Sequence, residues 1–187
     1  MSWRSSGILT SRLYTPGRIV AIDLADSRLQ SAERFGADTL INNSSEDAVA
    51  AVMELTDGLG ADVAFEAVGV PETFELATEL IRPGGRVANI GVHGKAVPLH
   101  LEKLWIRDVT ITTGLVDTFS IPQLMRLIAS GRLDPSLFAT HRFQLEDTMA
   151  AYDTFADAAE TNALKVVLQR ASVTSLLSAR EADTVSA

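Results

Sequence analysis

The sequence predicts an α/β protein built on a doubly wound parallel sheet, and three observations carry that expectation. Short apolar runs alternate with amphipathic segments from Arg18 to Val116, and strands that are apolar through their middles and separated by helices belong to parallel sheets covered on both faces. Turn residues fall where such units need them, at Gly36, at Gly58 to Gly60 and at Pro83-Gly84-Gly85. The stretch Arg18 to Asp23 is an apolar strand that ends on one acid and leads directly into an amphipathic helix.

Taken in order, Ser6 to Tyr14 is expected to form a short helix before the turn Thr15-Pro16-Gly17 and the strand Arg18 to Asp23. Asp26 is placed to cap the next helix, with Leu29, Ala32 and Phe35 facing a core and Gly36 ending it. Thr39 to Ile41 is a short strand. Ser44 or Ser45 is expected to cap a helix whose apolar face carries Val49, Val52, Met53 and Leu55. Asp62 to Val68 is a buried strand, and Pro71 opens a helix with Phe74, Ala77, Leu80 and Ile81 inward. Arg86 to Val92 and Thr110 to Val116 follow as strands, and Ser120 to Ser130 as a helix. Leu133 to Phe143 has weak periodicity and suits a connection leaving the sheet, before a helix over Leu145 to Ala158 and a strand over Lys165 to Leu168. Residues 171–187 are small and polar and read as a frayed tail.

Composition narrows the function classes. A chain of 187 residues with 47% hydrophobic content can bury a real core. The formal net charge of -8 and the lack of a Lys/Arg cluster argue against a nucleic-acid partner. No apolar run is long enough for a bilayer, so no membrane partner is expected and cytoplasmic residence is the default. Cysteine is absent, which removes disulfides, thiolate nucleophiles and Cys-based zinc sites. His93, His100 and His141 lack metal-ligand spacing and are assigned no chemistry, and Glu66 and Asp62 read as structural carboxylates.

Asp23 is the residue that points to a ligand. In dinucleotide folds the carboxylate at the end of the second strand accepts hydrogen bonds from both hydroxyls of an adenosine ribose and repels a 2'-phosphate, which favours NAD over NADP. Such a fold opens with a strand and a Gly-x-Gly-x-x-Gly turn at the pyrophosphate, and no such triplet precedes Arg18. The expectation is a Rossmann-like sheet that is incomplete, without its first strand and glycine-rich turn. That strand sits mid-sheet, between the strands represented here by Arg18 to Asp23 and Asp62 to Val68, so its absence exposes two apolar edges and predicts poor autonomous folding.

Several segments in order carry a family resemblance: Asp23 after Ile-Val-Ala-Ile, Phe35-Gly36-Ala37-Asp38, Phe65-Glu66-Ala67-Val68-Gly69, Arg82-Pro83-Gly84-Gly85-Arg86-Val87, Thr140-His141-Arg142-Phe143 and Ala163-Leu164-Lys165-Val166-Val167. The chain resembles the medium-chain, zinc-containing alcohol dehydrogenases over roughly Ile8 to Arg170. The resemblance implies NAD as cofactor, with Asp23 and Arg28 at the adenosine ribose and Val68 and Gly69 at a strand end that the cofactor approaches. It likewise implies Ile90, Gly91 and Val92 beside the nicotinamide, Thr113 and Gly114 at the last strand's nicotinamide-facing end, and Lys165 near the pyrophosphate. None of these transfers hydride. In the family a zinc ion lowers the pKa of the bound alcohol, and its ligands come from the N-terminal domain.

The organisation expected from this reading is an N-terminal helix and turn over residues 1–17, a partial NAD-binding domain over 18–132, a segment returning toward an absent catalytic domain over 133–170, and a tail over 171–187. The functional expectation is a truncated alcohol or polyol dehydrogenase, inactive alone and without zinc ligands of its own. Two alternatives stand beside it. One is an S-adenosylmethionine-dependent methyltransferase-like domain, which also places an acid after its second strand and whose Pro-Gly-Gly turn resembles Arg82 to Val87. The other is a non-catalytic module pairing with a full-length dehydrogenase or forming a homodimer through Thr110 to Val116, the strand by which the family extends its sheet between subunits.

Overall fold

The computed structural model describes residues 2–114 and 118–170. These fall into two compact units, Trp3–Leu133 and the stretch from Asp134 onward.

In the larger unit, helix α1 (Ser2–Ser11) and a 3-10 turn (Arg12–Tyr14) lead through Thr15, in the left-handed region, to strand β1 (Val20–Asp23). Helix α2 (Asp26–Arg34) returns the chain to β2 (Thr39–Asn42), which pairs with β1 in parallel from Val20↔Thr39 to Asp23↔Asn42. The expected cap at Asp26 is corrected: Asp26 is the first helical residue and Ala25 occupies the cap position, while Asp23 Oδ1 accepts from the N–H of Leu24 and of Ala25. The cap of α3 (Ala48–Leu55) is corrected as well, because Asp47 rather than Ser44 or Ser45 accepts from Val49 N–H and Ala50 N–H, at 2.9 and 3.1 Å. Ser44 instead bonds the Asn42 side chain in the preceding turn.

Strand β3 (Ala61–Glu66), helix α4 (Pro71–Leu80), strand β4 (Ile81–Asn89) and strand β5 (Thr110–Thr113) build a three-stranded parallel sheet in the order β3-β4-β5. The Pro83-Gly84-Gly85 segment is not a turn before β4 but an irregularity within it. The ladder runs Ala61↔Ile81 and resumes at Val63↔Arg86, and Gly84 takes φ +73° in between. Strands β3 and β4 both stop earlier than their apolar sequence predicts. Glu66 accepts main-chain N–H groups with its carboxylate and carbonyl alike, and this turns both chains at the same level. Helix α5 (Leu101–Leu104) and a 3-10 turn (Trp105–Arg107) precede β5, and Arg107 donates to the carbonyls of Thr78 and Ile81, filling acceptors left open at the end of α4. Helix α6 (Ile121–Ala129) closes the unit. The last two residues of the strand expected over Thr110 to Val116 lie outside the described residues.

The core has two centres. Ile41, Ala48, Val52 and Leu80 form one, against which Val20 and Ile22 of β1 and Ala61 of β3 pack. Phe74, Ala77, Ile81 and Val87 form the other, with Ala64 and Ile111 against it. Helices α3 and α4 therefore bridge the β1-β2 pair and the β3-β4-β5 sheet, although β1 and β3 share no ladder.

In the smaller unit the expected connection over Leu133 to Phe143 is corrected. Ala139–Gln144 forms strand β6, which pairs in parallel with β7 (Lys165–Gln169) and leaves alternate residues half-buried. Its crossover is α7 (Thr148–Ala156) and α8 (Ala158–Thr161), two helices where one was expected. The mixed polar sequence Ala-Thr-His-Arg-Phe-Gln hides a strand because only one of its faces is covered.

Candidate functional site

The C-terminal ends of β1, β3 and β4 hold the residues of interest. At the end of β1, Asp23 Oδ1 accepts from Leu24 N–H at 2.8 Å and Ala25 N–H at 3.1 Å, and Arg28 Nη1 lies 3.4 Å away. The carboxylate is thus aimed by main chain at the start of α2, with a guanidinium from the next turn beside it. Asn42, at the end of β2, donates to Asp26 Oδ1 at 2.6 Å and ties the neighbouring strand end to the same helix start.

The ends of β3 and β4 meet around Glu66, which is 2% exposed. Its Oε1 accepts from Val68 N–H at 2.7 Å, Gly69 N–H at 2.8 Å and Thr73 Oγ1 at 2.7 Å. Its carbonyl accepts from Ile90 N–H and Gly91 N–H, at 2.8 and 3.1 Å. His93 Nε2 sits 3.3 Å from Glu66 Oε2 and 2.8 Å from Asn89 Oδ1, and the imidazole stands edge-on to Phe74. Burial alone raises the Glu66 pKa, but the hydrogen bonds from Gly69, Thr73 and Val68 and the neighbouring His93 outweigh it and hold the carboxyl below its ordinary range.

Glycine is required at two of these positions. Gly69 has φ +87°, and a Cβ there would strike the Val92 main chain; a Cβ on Gly91 would strike Glu66 Oε2 and the Gly69 main chain. The two strand ends are therefore locked against each other through Val68, Gly69, Gly91 and Val92. Val68, Ile90 and Val92 leave an exposed apolar rim around them. Thr113 pairs with Asn89 in the β4-β5 register, and Gly114 beyond it faces open space. The structure thus brings Val68, Gly69, Ile90, Gly91, Val92, Thr113 and Gly114 to one set of strand ends, with Asp23 and Arg28 at the end of β1 in the same unit. Lys165 opens β7 in the smaller unit, where it is exposed. A cleft of about 240 Å³ lined by Arg12, Thr15, Gly17, Ile19 and Asp38 opens at the start of β1, away from Asp23.

Sequence reasoning read Glu66 as a structural carboxylate but did not foresee that it joins the two strand ends or that His93 meets it. The signal available was the acid in the last position of an apolar strand followed by a glycine three residues on; the histidine gave none, since its partner lies 27 positions away in the chain. Zinc finds no fit here. The sequence has no cysteine, and among the described residues no three His, Asp or Glu side chains gather as a ligand set.

Parallel strands joined by helices, with an acid closing β1 and the ends of β3 and β4 packed together at Gly69 and Gly91, define a domain of the Rossmann-like class. The sequence matches the zinc-binding dehydrogenase family over residues 13–130, and the chain belongs to that family. It is 37% identical over 151 residues to an alcohol dehydrogenase of Cupriavidus necator, covering 79% of this chain and 41% of that protein. It is 29% identical to an erythritol/L-threitol dehydrogenase of Mycolicibacterium smegmatis, over 82% of this chain and 43% of the relative. Among solved structures, a zinc-dependent alcohol dehydrogenase from Streptococcus pneumonia superposes with a TM-score of 0.81 at 42% identity, covering 89% of this chain and 48% of its own. Alcohol dehydrogenase TADH from Thermus sp. ATN1 gives a TM-score of 0.79 at 34% identity, with the same coverage. The chain thus spans less than half the length of these relatives.

Proposed function

We propose that this chain contributes the NAD-binding part of a dehydrogenase acting on the CH–OH group of alcohols or polyols, and that it performs no hydride transfer by itself. The observation that carries the reading is Asp23: a carboxylate held by main-chain N–H groups at the C-terminal end of a parallel strand, immediately before a helix. In that position an acid accepts from the ribose 2'- and 3'-hydroxyls and repels a 2'-phosphate. Val68, Gly69, Ile90, Gly91, Val92, Thr113 and Gly114 would line the nicotinamide side. The relatives named as alcohol and erythritol/L-threitol dehydrogenases support the substrate class. Among the described residues no ligand set for zinc gathers, and in this reading the metal would be held by residues outside this chain.

Thermal unfolding of the chain with NAD, NADP and S-adenosylmethionine tests the reading. A ligand at about 100 times its dissociation constant adds roughly 2.7 kcal/mol to stability. Stabilisation by NAD that is lost in Asp23→Asn supports the proposal, whereas stabilisation by S-adenosylmethionine alone, or by no ligand, overturns it. We infer as well that a second subunit extends the sheet at β5, which among the described residues pairs on one side only. Sedimentation equilibrium that shows a monomer at high concentration would count against that.

A further inference from the structure

The segment that follows β4 is held by side chains rather than by a ladder. Asn89 is the last residue of β4, paired with Glu66 on one side and Thr113 on the other. Beyond it, Ile90 and Gly91 give their N–H groups to the Glu66 carbonyl, and the Gly91 carbonyl accepts from Asn89 Nδ2 at 3.2 Å. Asn89 is 7% exposed, so its amide has to find its partners within the protein. With Nδ2 turned to that carbonyl, Oδ1 faces His93 Nε2 at 2.8 Å.

These partners assign the hydrogens. A main-chain carbonyl only accepts, which fixes Nδ2 on the Gly91 side, and Oδ1 only accepts, which requires a hydrogen on His93 Nε2. The Glu66 carboxylate draws on the same hydrogen: its Oε2 lies 3.3 Å from Nε2, and no hydrogen bond from another described residue reaches it. Phe74 of α4 holds the imidazole from a third side, edge-on, with ring centroids 6.2 Å apart and planes at 87°. His93 Nδ1 is buried with no hydrogen bond among the described residues, so the ring acts on its surroundings through Nε2.

We propose that His93 is a positioning residue for this rim: its Nε2–H fixes the Asn89 amide, the amide fixes the Gly91 carbonyl, and the peptide from Ile90 to Val92 is thereby set in one orientation. The consequence for a cofactor rests on the reading given above, in which that peptide lines the nicotinamide side. Without the Nε2–H, Asn89 Oδ1 is left buried with no donor, and the amide is free to turn and release the Gly91 carbonyl. The neighbouring main chain leaves no slack to absorb such a turn. A Cβ on Gly91 would already strike Gly69, and one on Gly69 would strike Val92, so movement of this peptide is passed directly to the exposed Ile90 and Val92 side chains.

The test compares His93→Leu, which keeps apolar bulk beside Phe74 and removes the donor, with His93→Gln, whose amide can again donate to Asn89 Oδ1. Hydrogen exchange on the full chain without ligand is expected to quicken about tenfold at the Ile90 and Gly91 amides in His93→Leu, with β1 and β2 unchanged, and to return toward the unmutated rate in His93→Gln. A uniform rise across β1, β2 and β3, or equal behaviour of the two variants, overturns the proposal by showing that the ring only fills space. Calorimetric titration then uses NAD and ADP-ribose, which lacks the nicotinamide. His93→Leu should weaken NAD binding about tenfold and leave ADP-ribose unchanged, the scale of one misplaced hydrogen-bonding segment; equal losses for both ligands overturn the link to the nicotinamide side. An unmutated chain that binds neither ligand overturns the cofactor reading instead, and the exchange result then decides the positioning role by itself. If His93→Leu does not fold, the long-range nitrogen–proton NMR spectrum of the unmutated chain decides: a hydrogen on His93 Nε2 is expected, and a bare Nε2 with the hydrogen on Nδ1 overturns the proposal.

Discussion

Truncating Glu66 separates a structural lock from a passive buried acid. Its Oε1 receives three hydrogen bonds between 2.7 and 2.8 Å. In Glu66→Ala the Gly69 N–H is left buried without an acceptor, the Val68 N–H is partly open to water, and Thr73 Oγ1 falls back on Val70 O at 3.0 Å. An orphaned buried donor costs about 1 to 3 kcal/mol, and a lost bond to a charged acceptor about 1.5 to 3. With one donor fully orphaned and one partly, the loss comes to about 3 to 4 kcal/mol, a large share of a typical domain's stability. Glu66→Gln keeps an acceptor for the same three donors and should cost only about 1 kcal/mol. Urea unfolding read by circular dichroism gives both numbers. A Glu66→Ala loss below about 1 kcal/mol, or equal losses in the two variants, would refute the lock. The pH dependence follows from the lowered pKa. A carboxyl held below its unfolded value near 4.5 contributes stability that is present above that value and lost as pH falls through the folded pKa. The wild-type chain should therefore lose stability more steeply than Glu66→Gln as pH drops below about 4.5.

Other substitutions test single statements. Gly69→Ala forces a Cβ against the Val92 main chain at φ +87°, and should destabilise by at least about 2 kcal/mol in the same urea assay. Asp47→Ala removes the acceptor for two N–H groups at the start of α3; about 1 kcal/mol should be lost, with Asp47→Ser largely neutral. Arg82→Ala breaks an ion pair of 2.7 Å whose side chains are 41% and 81% exposed, and the change in unfolding midpoint should correspond to less than about 0.5 kcal/mol.

Much of the larger unit was legible in the sequence because its signals are local. The spacing of Leu29, Ala32 and Phe35 placed α2, Pro71 at a helix start placed α4, and the apolar runs before Asp23 and Glu66 placed β1 and β3. The misreadings have equally specific causes. Ser44 and Asp47 are both good caps, and the choice fell to whichever side chain lay beside the free N–H groups of α3. Strand β6 was hidden because polar Thr140, Arg142 and Gln144 alternate with residues that pack only once β7 and α7 are in place. Pro83-Gly84-Gly85 has the chemistry of a turn, but pairing with β3 before it at Ile81 and after it from Arg86 keeps it within one strand.

The sequence by itself determined the alternation of elements, the acid at the end of β1, the glycines at the ends of β3 and β4, and the absence of a cysteine for metal. These are properties of residue type and spacing along the chain. Only the tertiary structure decided that Glu66 gathers Val68, Gly69, Thr73, Ile90, Gly91 and His93 into one lock, and that β1 pairs with β2 while β3 pairs with β4. Those features depend on which backbone groups meet across strands, and chain pairing fixes that at separations no local pattern records.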